Sequence, residues 1–176
     1  MMIKLIKITL KVFAIFILSI ALIYLFFSIK WRLEASRDYA LFGPEAPKLK
    51  INNKVYRDLN KNGKLDTYEN SEAQIEDRVE DLISQMNTHE KAGAIFIDMI
   101  GVNADGTPME FPSFSDPFSF LMETSSVQIA KKKMNHFNIR ASYPQEKMIE
   151  WQNAIQKMGE RSRLGIPITC LLYTSD

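Results

Sequence analysis

The chain has 176 residues but a single cysteine, Cys170, and only two histidines. One thiol excludes an internal disulfide framework and says nothing of redox compartment. An excess of one charge is also missing: 22 basic residues stand against 21 acidic ones, for a net charge of +1. There is no Lys/Arg field, which argues against a nucleic-acid partner. Lys131–Lys133 reads as the solvated end of a helix. No internal repeat is visible. One further absence is local: Val12–Ile29 holds no charge, glycine or proline, and such a run is long enough to cross a bilayer.

What surrounds that run decides how it is read. Lys4, Lys7 and Lys11 precede it, while Lys30 and Arg32 follow, so the positive-inside rule barely sets an orientation. A cleavable signal peptide has a shorter apolar core with a small-residue site behind it, and "WRLEASRDYA" offers none. Residues 1–32 therefore read as an uncleaved signal anchor with the lipid bilayer as partner. Residues 33–54, with Pro44 and Pro47, read as a linker. What lies downstream favours a periplasmic or extracellular soluble part.

The first such feature is "DLNKNGKLDTYE", Asp58 to Glu69. Calcium takes six to eight oxygen ligands, and the twelve-residue EF-hand loop supplies them from positions 1, 3, 5, 7, 9 and 12, with glycine at 6. Those positions are Asp58, Asn60, Asn62, Lys64 (through its carbonyl), Asp66 and Glu69, and Gly63 makes the turn. A plain Asn/Asp/Gly turn would use the same residue types, but nothing in turn chemistry requires the terminal Glu69. Ser71–Met86 follows, with Ile75, Val79, Leu82, Ile83 and Met86 at helical spacing. "KINNKVYR" before the loop has no helical stripe, and there is no second loop to pair with. Residues 55–86 thus suit a structural Ca2+ clip, as in dockerin-like modules, better than a sensor that opens a groove.

Strand and helix then alternate. Ala92–Ile100 is an apolar run of strand length, Leu121–Lys133 reads as a helix, and Met134–Ile139 as a short strand. Pro144–Leu164 is a helix with Met148, Trp151, Ile155 and Met158 on one face, and Gly165 ends it before "IPIT" opens another strand. Alternation of this kind means βα units and a parallel sheet. The expected fold class is α/β: the truncated start of a (β/α)8 barrel, preceded by a transmembrane helix and a calcium loop-helix. A complete barrel takes about 250 residues. Between the first strand and the second helix lies "PMEFPSFSDPF", whose phenylalanines either line a site or pack on the barrel top.

These residues carry a family likeness. "EDRVEDLISQMNTHEKAGAIFIDMI", "MNHFNI" and "WQNAIQKMGERSRLGIPIT" together resemble the opening of the N-terminal barrel of glycoside hydrolase family 3, over about Tyr56 to Thr169. The resemblance implies that residues 87–169 begin a β-glucosidase-like domain. It also implies an oligosaccharide or β-glucoside substrate for the full-length protein. Family members continue past the third strand differently, so Cys170–Asp176 reads as a non-native tail. The family's nucleophile and acid/base lie on later segments, and retaining hydrolysis needs two carboxyl groups about 5–5.5 Å apart. The chain by itself is therefore expected to be inactive.

Asp98 is the one candidate for lining a sugar site, because barrel sites form at the C-terminal ends of strands; a structural or loop-capping role is the other reading. His136 and Asn135 read as packed, hydrogen-bonded residues, His89 as part of a helix start, and Asp116 and Glu123 as surface. The competing function is a membrane-tethered, non-catalytic calcium module that docks a partner.

Overall fold

The computed structural model describes residues 2–114 and 116–171. Residues 172–176 of the expected tail lie outside the described residues. Helix α1, Met2–Tyr39, is continuous. From Ile6 onward it is long and apolar enough to cross a membrane by length and composition. It does not end in a loose linker. Arg161 Nε donates to Gly43 O at 2.8 Å, Gly43 N donates to Arg161 O at 2.8 Å, and the Arg161 guanidinium lies over the rings of Tyr39 and Phe42. Ala46 N donates to Glu160 Oε1 at 2.8 Å. Within the expected linker, backbone groups of Gly43 and Ala46 bond the end of the Gln145–Glu160 segment and Arg161.

Strands β1 (Lys48–Ile51) and β2 (Lys54–Arg57) form an antiparallel hairpin. Asn52 and Asn53 both take positive φ, 49° and 65°, which is the two-residue hairpin turn that asparagine tolerates. The stretch that lacked a helical stripe is this hairpin. Helix α2, Ile75–Gln85, follows the loop, but its stripe of Ile75, Val79 and Ile83 faces outward and is exposed.

Helix α3, Thr88–Ile95, corrects the expected strand. Asn87 Oδ1 accepts from Glu90 N at 2.9 Å and Glu90 Oε2 accepts from Asn87 N at 3.0 Å. This reciprocal capping box starts a helix, and Ala92, Gly93 and Ala94 carry it on. Gly93 packs against the backbone carbonyls of Lys132 and Lys133. Only Ile97–Ile100 remains as strand β3. The helix expected over Leu121–Lys133 is also broken, into a 3-10 turn at Pro117–Leu121 and a single π-type turn at Val127–Lys131. Within that turn Gln128 donates its side-chain amide to Met99 O at 2.9 Å and Asp98 Oδ2 at 3.1 Å. Lys133, with φ 60°, ends the segment.

Strand β4 (His136–Ile139) is central in a parallel sheet of order β3-β4-β5, with β5 at Thr169–Leu171. Helix α4, Gln145–Glu160, begins after Pro144 and covers one face. Trp151 is fully buried, and its indole N–H donates to Gly101 O at 3.2 Å. Around it lie Ile100, Ile129, Phe137, Ile155 and Met158. Met148 packs at the edge of the same cluster, so the apolar face read from the sequence is the one that is covered. The fold is thus mixed α/β, with a long apolar N-terminal helix and two small sheets.

Candidate functional site

The Asp58–Glu69 loop is tied into the body at several points. Gly63 takes φ 80°, as the turn at position 6 demands. Asp58, only 2% exposed, accepts from Asn62 N at 3.0 Å through Oδ1 and from Gly63 N at 2.8 Å through Oδ2. Glu69 reaches back across the loop: Oε1 accepts from Leu59 N at 2.6 Å and Asn60 N at 3.1 Å, and Oε2 from Asp66 N at 3.1 Å. Asp66 Oδ2 accepts from the side-chain amides of Asn60 and Asn62, the latter at 2.7 Å. These bonds fix the position of each carboxylate in the loop.

The cations nearest in sequence turn away. Lys61, at positive φ, donates through Nζ to Glu160 O and Ser162 O, both at 2.6 Å. Burial lowers the Lys61 ammonium pKa, against the pull of Glu160, Asp58 and Glu69. Lys64 is exposed. Tyr68, buried near the end of the loop, donates its hydroxyl to Leu164 O at 3.1 Å. Burial and then the carboxylates of Glu69, Asp66 and Asp58 push its phenol well above the usual range. On the outer side, Asp81 of α2 accepts from Tyr68 N at 2.8 Å, and Gln85 Oε1 accepts from Asn60 Nδ2 at 3.0 Å.

These positions bear on a metal in two ways. Among the described residues, no group of three or more His, Cys, Asp or Glu is arranged to hold an ion by itself. A cation here would have to draw on Asn60, Asn62 and the Lys64 carbonyl as well. The chemistry of the donors fits a hard ion: all are oxygens, and three are carboxylates. The Asn60 and Asn62 amide nitrogens now face Asp66, and a half-turn of each amide would present oxygen instead.

Asp98 is the second residue of β3 and not near its end, because the strand is shorter than the apolar run. It is exposed, and its carboxylate accepts from Gln128 Nε2 and Met99 N. His89 lies in the first turn of α3 and lines an open pocket of about 460 Å³ with Phe96, Asp98 and Lys132. Asn135 is buried, and neither Asn135 Oδ1 nor His136 Nδ1 has a hydrogen-bond partner among the described residues. Asp116 pairs with Arg140, and Glu123 with Lys132.

Sequence reading missed Glu110. It is largely buried, accepts from Ser126 N at 3.0 Å and Ser126 Oγ at 2.5 Å, and burial raises its carboxyl pKa. It holds the turn before Val127–Lys131. No spacing pattern marks it, because its partner lies sixteen residues away.

No family model matches the chain. Among curated proteins it is 31% identical over 129 residues to a periplasmic beta-glucosidase/beta-xylosidase of Dickeya chrysanthemi, covering 70% of this chain and 18% of that protein. It is 36% identical over 106 residues to beta-glucosidase C of Emericella nidulans, covering 60% and 15%. To a probable beta-glucosidase C of Aspergillus oryzae it is 30% identical over 110 residues, covering 62% and 16%. The relationship is glycoside hydrolase-like. The chain spans less than a fifth of the length of these relatives.

Proposed function

We propose that this chain is the opening part of an extracytoplasmic hydrolase of O-glycosyl bonds, β-glucosidase-like and of glycoside hydrolase family 3. In this reading α1 anchors it to a membrane and residues 87–169 begin its barrel. The observation that carries the reading is the 31% identity over 129 residues to a periplasmic beta-glucosidase/beta-xylosidase. The parallel β3-β4-β5 sheet with α4 on one face supports it. Calcium is held in a structural role by Asp58, Asn60, Asn62, the Lys64 carbonyl, Asp66 and Glu69. When bound, it neutralises the loop carboxylates and locks the hairpin, α2 and the end of α4 around one point. Asp98 lines the sugar site only if later segments bring substrate to β3.

The test compares two proteins. One is the chain as it stands, expected to be inactive on aryl β-glucosides. The other is the same gene with its genomic continuation, expected to release the chromophore with retention at the anomeric carbon. A stable extended protein without glycosidase activity would overturn the reading. It would favour the second one, a membrane-tethered calcium module, which the dense bonding of the Asp58–Glu69 loop supports.

A further inference from the structure

The phenylalanine-rich loop lies beside the N-terminal helix. It packs along α1. The Phe114 and Tyr24 ring centroids lie 5.2 Å apart, Phe120 and Trp31 5.5 Å, and Phe114 and Phe120 5.4 Å. The Arg32 guanidinium stands 5.9 Å over the Phe111 ring. Even so, the loop's apolar side chains stay largely uncovered: Phe114 is 70% exposed and Leu121 79%, with Phe111, Phe118 and Phe120 also open.

Its polar groups are tied inward. Ser113 N donates to Ser119 Oγ at 2.7 Å, and Ser119 Oγ lies 2.5 Å from Asp116 O. Asp116 N donates to Ser113 O, Ser119 N to Asp116 O and Met122 N to Ser119 O. The Asp116 carboxylate is paired with Arg140, whose guanidinium covers the Phe118 ring at 4.8 Å. An apolar exterior over polar groups bonded to one another is what hydrocarbon favours in irregular backbone. In water, the same surface would be an exposed apolar patch that needs a reason.

Position names the partner. The apolar run ends at Ile29, and Lys30 and Arg32 mark its polar edge. Tyr24 lies six residues before Lys30, about 9 Å inside that edge at 1.5 Å per residue. The Phe114 ring, tilted against Tyr24, sits at the same depth. Trp31 falls at the boundary, where indoles gather. We infer that Phe111, Phe114, Phe118, Phe120 and Leu121 form a second membrane element beside α1, a monotopic wedge that enters the same leaflet and takes lipid acyl chains as its ligand. The inference rests on α1 spanning the bilayer and is independent of any glycosidase activity.

Spin labels can decide it. In a Cys170→Ser background, Ile17→Cys, Phe114→Cys, Leu121→Cys and Ile149→Cys are labelled singly, and the full chain is reconstituted into phosphatidylcholine vesicles. Collisions with oxygen and with a water-soluble nickel chelate are then measured by power saturation. The wedge predicts oxygen-dominated collisions at 17, 114 and 121 and nickel-dominated collisions at 149. Leu121→Cys leaves every phenylalanine in place, so it reads the loop even if Phe114→Cys loosens it. Oxygen dominance at 17 with nickel dominance at 114 and 121 overturns the wedge alone. Weak collisions with both reagents at 114 and 121 overturn it too, because the loop is then covered by protein. Nickel dominance at 17 overturns the spanning helix and the wedge with it.

Discussion

Two regions of the molecule solve the same problem, holding an irregular chain in one shape, by different means. In the corner formed by Asp58–Glu69, α2 and the end of α4, the ties are polar: carboxylates on backbone N–H groups, and lysine and tyrosine on carbonyls. Across the sheet β3-β4-β5, the ties are apolar and one-sided. Trp151, Ile155 and Met158 bury one face, while Phe96, Ile97 and Met99 remain exposed. The polar groups of the corner bond one another, while the apolar stripe of α2 stays exposed. The sheet stands open on one side, and edge strands with apolar faces are prone to unwanted pairing. Each polar tie adds only about 0.5–1.5 kcal/mol, so the corner relies on number and geometry, whereas the sheet depends on a few large side chains.

Trp151→Ala should have the largest effect, a loss of about 3–5 kcal/mol, because it empties the covered face and leaves Gly101 O unpaired. Hydrogen exchange should show lost protection at β3 and β4 with the Asn62 and Gly63 amides still protected. Loss at both together would break the contrast between the regions.

Arg163 joins the two regions. Its guanidinium bonds Glu90 in α3 and donates to Gln85 O at 2.8 Å at the end of α2. Burial pushes the Glu90 carboxyl pKa up, but hydrogen bonds from Arg163 and Asn87 N outweigh it and hold the group below its ordinary value. The stabilisation is therefore fully present above the unfolded pKa, near 4.5, and is lost as pH falls through the lower folded value. Glu90→Gln should cost about 1–3 kcal/mol at neutral pH and flatten the acid limb of a stability–pH profile measured by urea unfolding. An unchanged acid limb would mean that other carboxylates govern it.

Glu69→Gln sharpens the account of the corner. Calorimetry on a peptide spanning Val55–Met86 should show calcium bound in preference to magnesium, and the substitution should weaken it by about tenfold or more. No calcium heat at millimolar metal would count against the site. The smallest effect should come from Gly63→Ala. A Cβ there meets nothing within 4 Å, so only the backbone at φ 80° resists it, at about 1 kcal/mol. A much larger loss in thermal unfolding would mean that the loop tolerates no relaxation.

The same contrast explains what could be read in the sequence. The turn at Gly63 and the apolar face of α4 are legible because each depends on residues close together along the chain. Ala92–Ile95 was misread as strand since an apolar run has no period to separate strand from buried helix; Asn87 and Glu90 held the deciding signal as a capping box. The seats of Gln128 and Glu110 depend on partners far along the chain, Met99 and Ser126. The outward face of α2 was invisible for a related reason: helical spacing marks a stripe but not what covers it.

The grip of Lys61 on the carbonyls of Glu160 and Ser162 spans 99 and 101 residues of chain. Its two halves come into being at different times. The Asp58–Glu69 loop closes over a dozen residues, an event on the order of 10–100 ns. At about 5–20 residues per second of synthesis, α4 follows it from the ribosome after about 5–20 s. The loop therefore has time to close many times over before its long-range partner exists. Order of synthesis thus makes the turn the older partner of the contact and the helix end the younger.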